Sequence, residues 1–151
     1  MDISELEAEA ARLILPAFSE EAALRLGLTL MNMAKLDRLP IVIDIRTADR
    51  TLFHLAMPGS APINDRWALR KSNTALHFHL ASLHVGRNMA AKGDTLLKHG
   101  LSETEFAVNG GAVPICVAGA GVVACATVSG LPQVEDHRLV VRAIETLLQG
   151  A

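Results

Sequence analysis

The sequence predicts an α+β fold: an antiparallel β-sheet built from hairpins with helices packed on it, an α-β layer sandwich in a single domain spanning residues 1–151. Three observations predict it. No charged side chain occurs between Glu105 and Glu135, and this run is β-branched and punctuated by glycine, which suits buried strands better than a spanning helix of about 20 apolar residues. A second pair of apolar strands, Ile41 to Arg46 and Thr51 to Met57, brackets a short polar turn. The remaining segments repeat their apolar residues at helical spacing. Strand pairs joined by tight turns, with helices between the pairs, favour an antiparallel sheet covered by helices over a Rossmann arrangement.

In chain order, Ser4-Glu5-Leu6-Glu7 reads as a capping box, and Leu6, Ala10, Leu13 and Ile14 recur at helical spacing until Pro16. Ser19 offers the N-cap of a second helix with acidic Glu20 and Glu21 in its first turn. Its stripe of Leu26, Leu30 and Met33 ends before Pro40, and Gly27 weakens it a little. These N-terminal helices occupy residues 4–39, ahead of a core at 40–148. The first hairpin turns at Thr47-Ala48-Asp49-Arg50. Its simplest register places Ile41, Ile43 and Ile45 on one face with Leu52, His54 and Ala56, and sends Asp44 to the other face with Phe53. His54 then reads as a hydrogen-bonded core histidine. Met57 to Pro62 is loop.

Asn64 caps a long helix from Asp65 to about Val85. At about 100° per residue, Trp67, Thr74, Phe78 and Val85 share a stripe with Lys71 beside them, while Leu69, Leu76, Leu80 and Leu83 fall almost opposite. A helix apolar on two faces needs cover on both, from the sheet on one side and from more helices or a second subunit on the other; the pattern predicts a homo-oligomer. One flank between the stripes carries Arg66, Arg70, His77 and His84, and the other Ser72 and His79. Gly86 to Gly100 reads as a further helix weakened by Gly93, and Ser102 to Glu105 as a short capped turn. Val113 to Ala118 and Val122 to Ser129 form the central hairpin around Gly119-Ala120, where glycine permits the positive φ of a tight turn. Ser129-Gly130-Leu131-Pro132 then supplies a capping hydroxyl and a first-turn proline ahead of a helix from Gln133 to Leu148.

Composition excludes several function classes. Hydrophobic residues make up 50% and charged residues 20% of 151 positions, which describes a globular chain. Aromatics at 3% and a formal net charge of -2 leave neither stacking platforms nor a concentrated basic surface for nucleic acid. Asp2, Glu5, Glu7 and Glu9 stand where a secretory signal would carry basic and then apolar residues, so a cytoplasmic protein not inserted in a membrane is expected. Cys116 and Cys125 sit on the two strands of the central hairpin. A two-residue turn would make them diagonal neighbours and a three-residue loop would send them to opposite faces; reduced thiols are expected in the cytoplasm. No cysteine or histidine spacing matches a zinc site. There is no phosphate loop and no nucleophile elbow.

Two places suit ligand chemistry. At the exit from the second central strand, backbone N-H groups near Ser129 and Gly130 precede a helix start. They either serve Glu135 and Asp136 internally or hold a ligand carboxylate, with His137 nearby as donor or ligand. On the long helix, Arg66 and Arg70 can bind carboxylates bidentately, and His77 and His84 can bond an anion or ligate a metal. The two histidines are seven positions apart, too far along a helix to grip one ion as a simple pair.

The order Gly110-Gly111-x-x-Pro114-Ile115, then Val128-Ser129-Gly130-Leu131-Pro132-Gln133-x-x-Asp136-His137, resembles the haem-degrading, HbpS/GlcG-like domain family, and within it the stand-alone cytosolic branch. A second block agrees: Pro58-Gly59 followed by Asn64-Asp65-x-Trp67-x-x-Arg70-Lys71-x-Asn73. The likeness departs after this block, where the family pattern has Arg-Phe and Ser-Ser and this chain has His77-Phe78 and Ala81-Ser82. The resemblance implies binding of haem or a related tetrapyrrole in association with haem degradation. Such a site needs an apolar slot, cations for the propionates and an axial ligand. Arg66, Arg70 and Lys71 would supply the cations, and His77, His84 or His137 the axial nitrogen or any metal ligand. Trp67, Gly110, Gly111, Ser129, Gly130 and Asp136 complete the expected ligand-binding set. The alternative is a non-catalytic homo-oligomer binding a small carboxylate or a protein partner. A third reading, an enzyme acting on a small oxidised metabolite, lacks a catalytic pair.

Overall fold

The computed structural model describes residues 1–150. The chain runs α1 (Ile3–Arg12), β1 (Ile14–Leu15), α2 (Glu20–Asp37), β2 (Val42–Arg46), β3 (Thr51–Ala56), α3 (Pro62–Phe78), α4 (Ser82–Lys92), a 3-10 turn (Leu97–His99), β4 (Ala112–Val117), β5 (Gly121–Ser129) and α5 (Gln133–Gln149). The α+β layer expectation holds. The strands form one sheet in the order β1-β4-β5-β2-β3. Every neighbouring pair is antiparallel except one: β1 joins β4 in parallel, with Ile14 beside Cys116 and Leu15 beside Val117. The sheet is therefore mixed, which corrects the purely antiparallel expectation. Its cause lies at the end of α1, where Leu13 and Leu15 are drawn into the core and Ala118 donates its amide to Leu15 O.

The layers follow from alternation along the strands. Ile41, Ile43 and Ile45 join Ile115, Ala124, Ala126 and Val128 in one buried face, covered by Leu26 and Leu30 of α2 and by Leu139 and Ile144 of α5. On the other face α3 lies across β5, β4 and β2. There the packing is smaller and more polar, with Ala75 against Ala112 and Cys125, and the Ser72 hydroxyl 2.7 Å from that of Thr127. Gly27 earns its place in α2 through closeness, since a Cβ there would meet the Phe53 ring at 2.5 Å. Among the described residues no helix is long and apolar enough to cross a membrane.

Several local readings change. The first helix is capped by Asp2, whose carboxylate accepts from Glu5 N at 2.8 Å in a reciprocal box, two residues ahead of the expected Ser4. Asn64 lies inside α3 and accepts from Ala61 N at 2.9 Å, so the N-cap is Ala61. The last helix begins at Gln133 with Pro132 as its N-cap and no side-chain cap from Ser129.

The expected single helix from Asp65 to Val85 is two helices. His79 adopts a left-handed φ of 57° and α4 restarts at Ser82. The break redirects α4 so that Leu83 is fully buried and the Ser82 hydroxyl accepts from Ala112 N at 3.1 Å. The shared flank of Arg66, Arg70, His77 and His84 is thereby dissolved. In the first hairpin, Asp44 pairs with His54 and Ile45 with Phe53, and a bulge follows before Arg46 pairs with Thr51. The extra residue shifts the strand by one position and puts His54 on the face of Asp44, opposite to the expected side. In the central hairpin Val117 pairs with Gly121, leaving a three-residue loop, and both cysteines are free.

Candidate functional site

The glycine corner between β5 and α5 opens on a polar cavity of about 260 Å³. Its walls come from α3 (Asn64, Trp67, Lys71), from Asn109 before β4, and from Ser129, Gly130, Gln133 and Asp136. The centre of this place is an ion pair. Lys71 reaches from α3 to within 2.9 Å of Asp136 Oδ2 and also donates to Val128 O at 3.2 Å. Both side chains are nearly inaccessible, Lys71 at 3% and Asp136 at 1%.

Asp136 closes the corner by accepting from Leu131 N at 2.9 Å and Gly130 N at 3.4 Å. The amides that could have bound a ligand carboxylate thus serve the chain's own carboxylate, as the internal reading of the sequence anticipated. Burial lowers the pKa of the Lys71 ammonium, against the pull of Asp136; burial likewise raises that of the Asp136 carboxyl, against Lys71 and the two amides. Each partner holds the other in its charged form, and the cost of stripping water from both is what the close contact offsets.

Two glycines make this geometry reachable. Gly130 has φ 144°, and a Cβ there would lie 2.7 Å from Pro40 O. Gly111 has φ 141°, and its Cβ would stand 2.8 Å from Lys71 Nζ, in the path of the ammonium. Gly110 donates its amide to Gln133 Oε1 at 2.9 Å, which ties the strand entrance to the first turn of α5.

Of the sequence-predicted site residues, Trp67, Lys71, Ser129, Gly130 and Asp136 meet around this cavity, with Gly110 and Gly111 behind it. Arg70 stacks its guanidinium 4.4 Å from the Trp67 ring centroid, and its Nε is buried without a partner. Arg66 is exposed. The histidines go elsewhere. His77 is exposed, edge-on to Phe78 and Phe106. His84 is buried on α4, and His137 is buried with Nε2 bonded to Glu9 of α1. Among the described residues no group of three or more His, Cys, Asp or Glu is arranged to hold a metal ion.

One polar cluster was missed. Asp44, fully buried, accepts from Arg46 Nε at 2.6 Å and pairs with His54 Nδ1 at 2.7 Å, while His54 Nε2 meets Asp65 at 2.6 Å. The chain joins β2, β3 and α3. An aspartate amid isoleucines was the available signal, and the one-residue bulge hid its partner.

A match to the family model described as haem degrading protein HbpS-like extends over residues 18–145. The chain belongs to this HbpS-like family. A UPF0303 protein of Streptomyces coelicolor is 45% identical over 147 residues, 97% of this chain and 93% of that protein. One from Paraburkholderia xenovorans is 44% identical over 144 residues, 95% and 87% of the two chains. Among solved structures, Ybr137w superposes with a TM-score of 0.87 at 34% identity, covering 97% of this chain and 89% of the other. HbpS itself gives a TM-score of 0.70 at 22% identity over 87% and 89% of the two chains, a likeness of fold alone. The PduOC:heme complex does the same at 0.72 and 21%, over 85% and 94%. The HbpS-like fold therefore accounts for nearly the whole chain, the glycine corner included.

Proposed function

We propose that this HbpS-like chain is a binding protein whose glycine corner takes a carboxylate-bearing small molecule, from a haem or related tetrapyrrole or from a free small acid. The observation that carries the reading is the polar cavity of about 260 Å³ beside the Lys71–Asp136 pair, rimmed by the amides of Asn64, Asn109 and Gln133 and by the Trp67 ring. Amide donors and a stacked Arg70 suit an oxyanion. Family membership favours the tetrapyrrole source, and one fold neighbour was solved as a haem complex.

The residues present fit a propionate and not the iron. His137 is sealed inside and engaged by Glu9, His84 is buried, and His77 projects from another part of α3 beside Phe78 and Phe106. No histidine lines the corner cavity. In a single chain the macrocycle would lie outside it, with one carboxylate inserted. Exposed Ile63 and Leu69 on α3 support assembly into a homo-oligomer, which would add surface to such a site. The free Cys116 and Cys125 suit a reducing cytoplasm.

Trp67 is the only tryptophan and lines the cavity, so its fluorescence reports occupancy. Hemin is titrated with the Soret band and Trp67 emission followed together, beside a series of small acids such as glycolate, in the native chain and in Asn109→Leu, Arg70→Ala and His77→Ala. A saturable response to hemin or to a free acid, weakened about tenfold or more by Asn109→Leu, is expected. Loss of the Soret shift in Arg70→Ala with retention in His77→Ala points to propionate capture at the corner. Saturation by free acids alone assigns the second source. If neither class changes Trp67 emission, or Asn109→Leu leaves binding intact, the proposal fails. Sedimentation at micromolar concentration is expected to give a species larger than a monomer.

A further inference from the structure

A second cavity lies on the opposite side of the molecule and differs in chemistry from the corner. It encloses about 140 Å³ between α1, the α3–α4 turn and the outer strands. Leu6, Leu13, Val113 and Val122 form apolar walls, and Cys116 stands among them, half-buried. That size is close to the roughly 150 Å³ at which an apolar engineered cavity stays dry and accepts a single benzene ring. Unlike such a cavity, this one contains a polar spot. Glu9, His84 and His137 also line it.

His137 is 1% exposed, and its Nδ1 is buried with no hydrogen-bond partner. Its other nitrogen, Nε2, meets Glu9 Oε1. A carboxylate only accepts, so the Nε2 of this pair carries the proton and the neutral ring presents a lone pair at Nδ1. A buried acceptor left without a donor is uncommon in folded proteins and asks for an explanation. Glu9 fixes the ring from α1, 128 positions away in sequence, so Nδ1 is held in place beside the cavity. His84, 5% exposed, has its pKa lowered by burial and by the neighbouring His137, against Glu7, which keeps a second neutral imidazole at the same wall.

We infer that this cavity binds a small, mainly apolar molecule carrying one hydroxyl, of the size and class of a phenol, whose O–H donates to His137 Nδ1 while its ring fills the space between Leu6, Leu13, Val113 and Val122. The inference is independent of the corner reading, since the two cavities share no lining residue. Ile14, 45% exposed, and Ala10 at the outer edge of α1 mark the side from which a ligand enters.

The probes are phenol and benzene, titrated into the full chain carrying 15N-labelled histidine, with Cys116 alkylation measured in parallel. Phenol is expected to move the His137 Nδ1 resonance saturably, to bind about tenfold tighter than benzene, and to slow alkylation of Cys116. The fully buried Cys125, whose thiol is pushed up to about 12 by burial, stays unreactive throughout and serves as the internal control. Cys116→Phe fills the space without touching the Glu9–His137 pair and is expected to abolish phenol binding while far-UV circular dichroism is unchanged. Equal affinity for benzene and phenol, a His137 signal that phenol does not move, or binding that survives Cys116→Phe overturns the inference. Trp67 emission stays constant during the phenol titration if only this cavity is filled; a change there assigns phenol to the corner and overturns it too.

Discussion

His54 stands between two carboxylates, the buried Asp44 and the half-exposed Asp65, and so bridges the sheet to α3. Partial burial opposes its charged form, but the hydrogen bonds and charges of both aspartates outweigh that and raise its pKa above the usual 6.5. A raised folded-state value means the bridge contributes its full stability below the unfolded pKa of about 6.5 and loses it as pH climbs through the folded one. Urea unfolding of the native chain and of His54→Gln should therefore show a stability difference that is largest near pH 6 and shrinks toward pH 9. A difference independent of pH would remove the electrostatic account. The contribution is screened, because over a third of the His54 side chain faces water. Sequence reading at this scale was uneven. Lys71 and Asp136 were picked out from their motifs, whereas the partner of Asp44 was assigned to the wrong face because a single bulged residue inverts every side chain beyond it.

The element that organises the site is the turn from β5 into α5. Its strand, its glycine and its helix were all legible: an uncharged β-branched run, a residue free to take positive φ, and a proline ahead of a helical stripe. Gly130→Ala puts a methyl group at a φ of 144° and within 2.7 Å of Pro40 O. A loss of about 1–3 kcal/mol is expected for such strain, read from the urea midpoint; a change under half a kcal/mol would show that the corner relaxes freely. Other elements were illegible for definite reasons. The break between α3 and α4 carries no proline or glycine, and His79 takes the left-handed cap that glycine usually fills. The demand that splits the helix comes from Ala112 and Gly110, far along the chain, which need Ser82 and Leu83 beneath them. β1 is two residues long and pairs with a strand about 100 positions later, too short for any alternation to register.

Across the whole molecule, the N-terminal segment is bound in rather than appended. β1 extends the sheet, Glu9 meets His137, and Arg12 reaches Glu145 at 2.9 Å. A chain so closed should unfold as one cooperative unit, and Trp67 on α3 provides a probe far in sequence from that segment. Urea transitions followed by Trp67 emission and by far-UV circular dichroism are expected to coincide, and Leu15→Ala, which empties a 1% exposed position, should shift both by the same amount, about 2–5 kcal/mol. Two separated transitions would mean that residues 4–39 fold apart from the core. The sequence by itself determined the layer architecture, the buried ribbon, the glycine corner and the family likeness, because each rests on local alternation, permissive φ or a short motif. Only the tertiary structure decided which charges meet: Lys71 with Asp136 at 65 positions' separation, His54 with Asp44 across a shifted register, and Glu9 with His137 across 128. Such pairs depend on where elements dock, and docking is set by packing over the entire core, which no single stretch of sequence encodes.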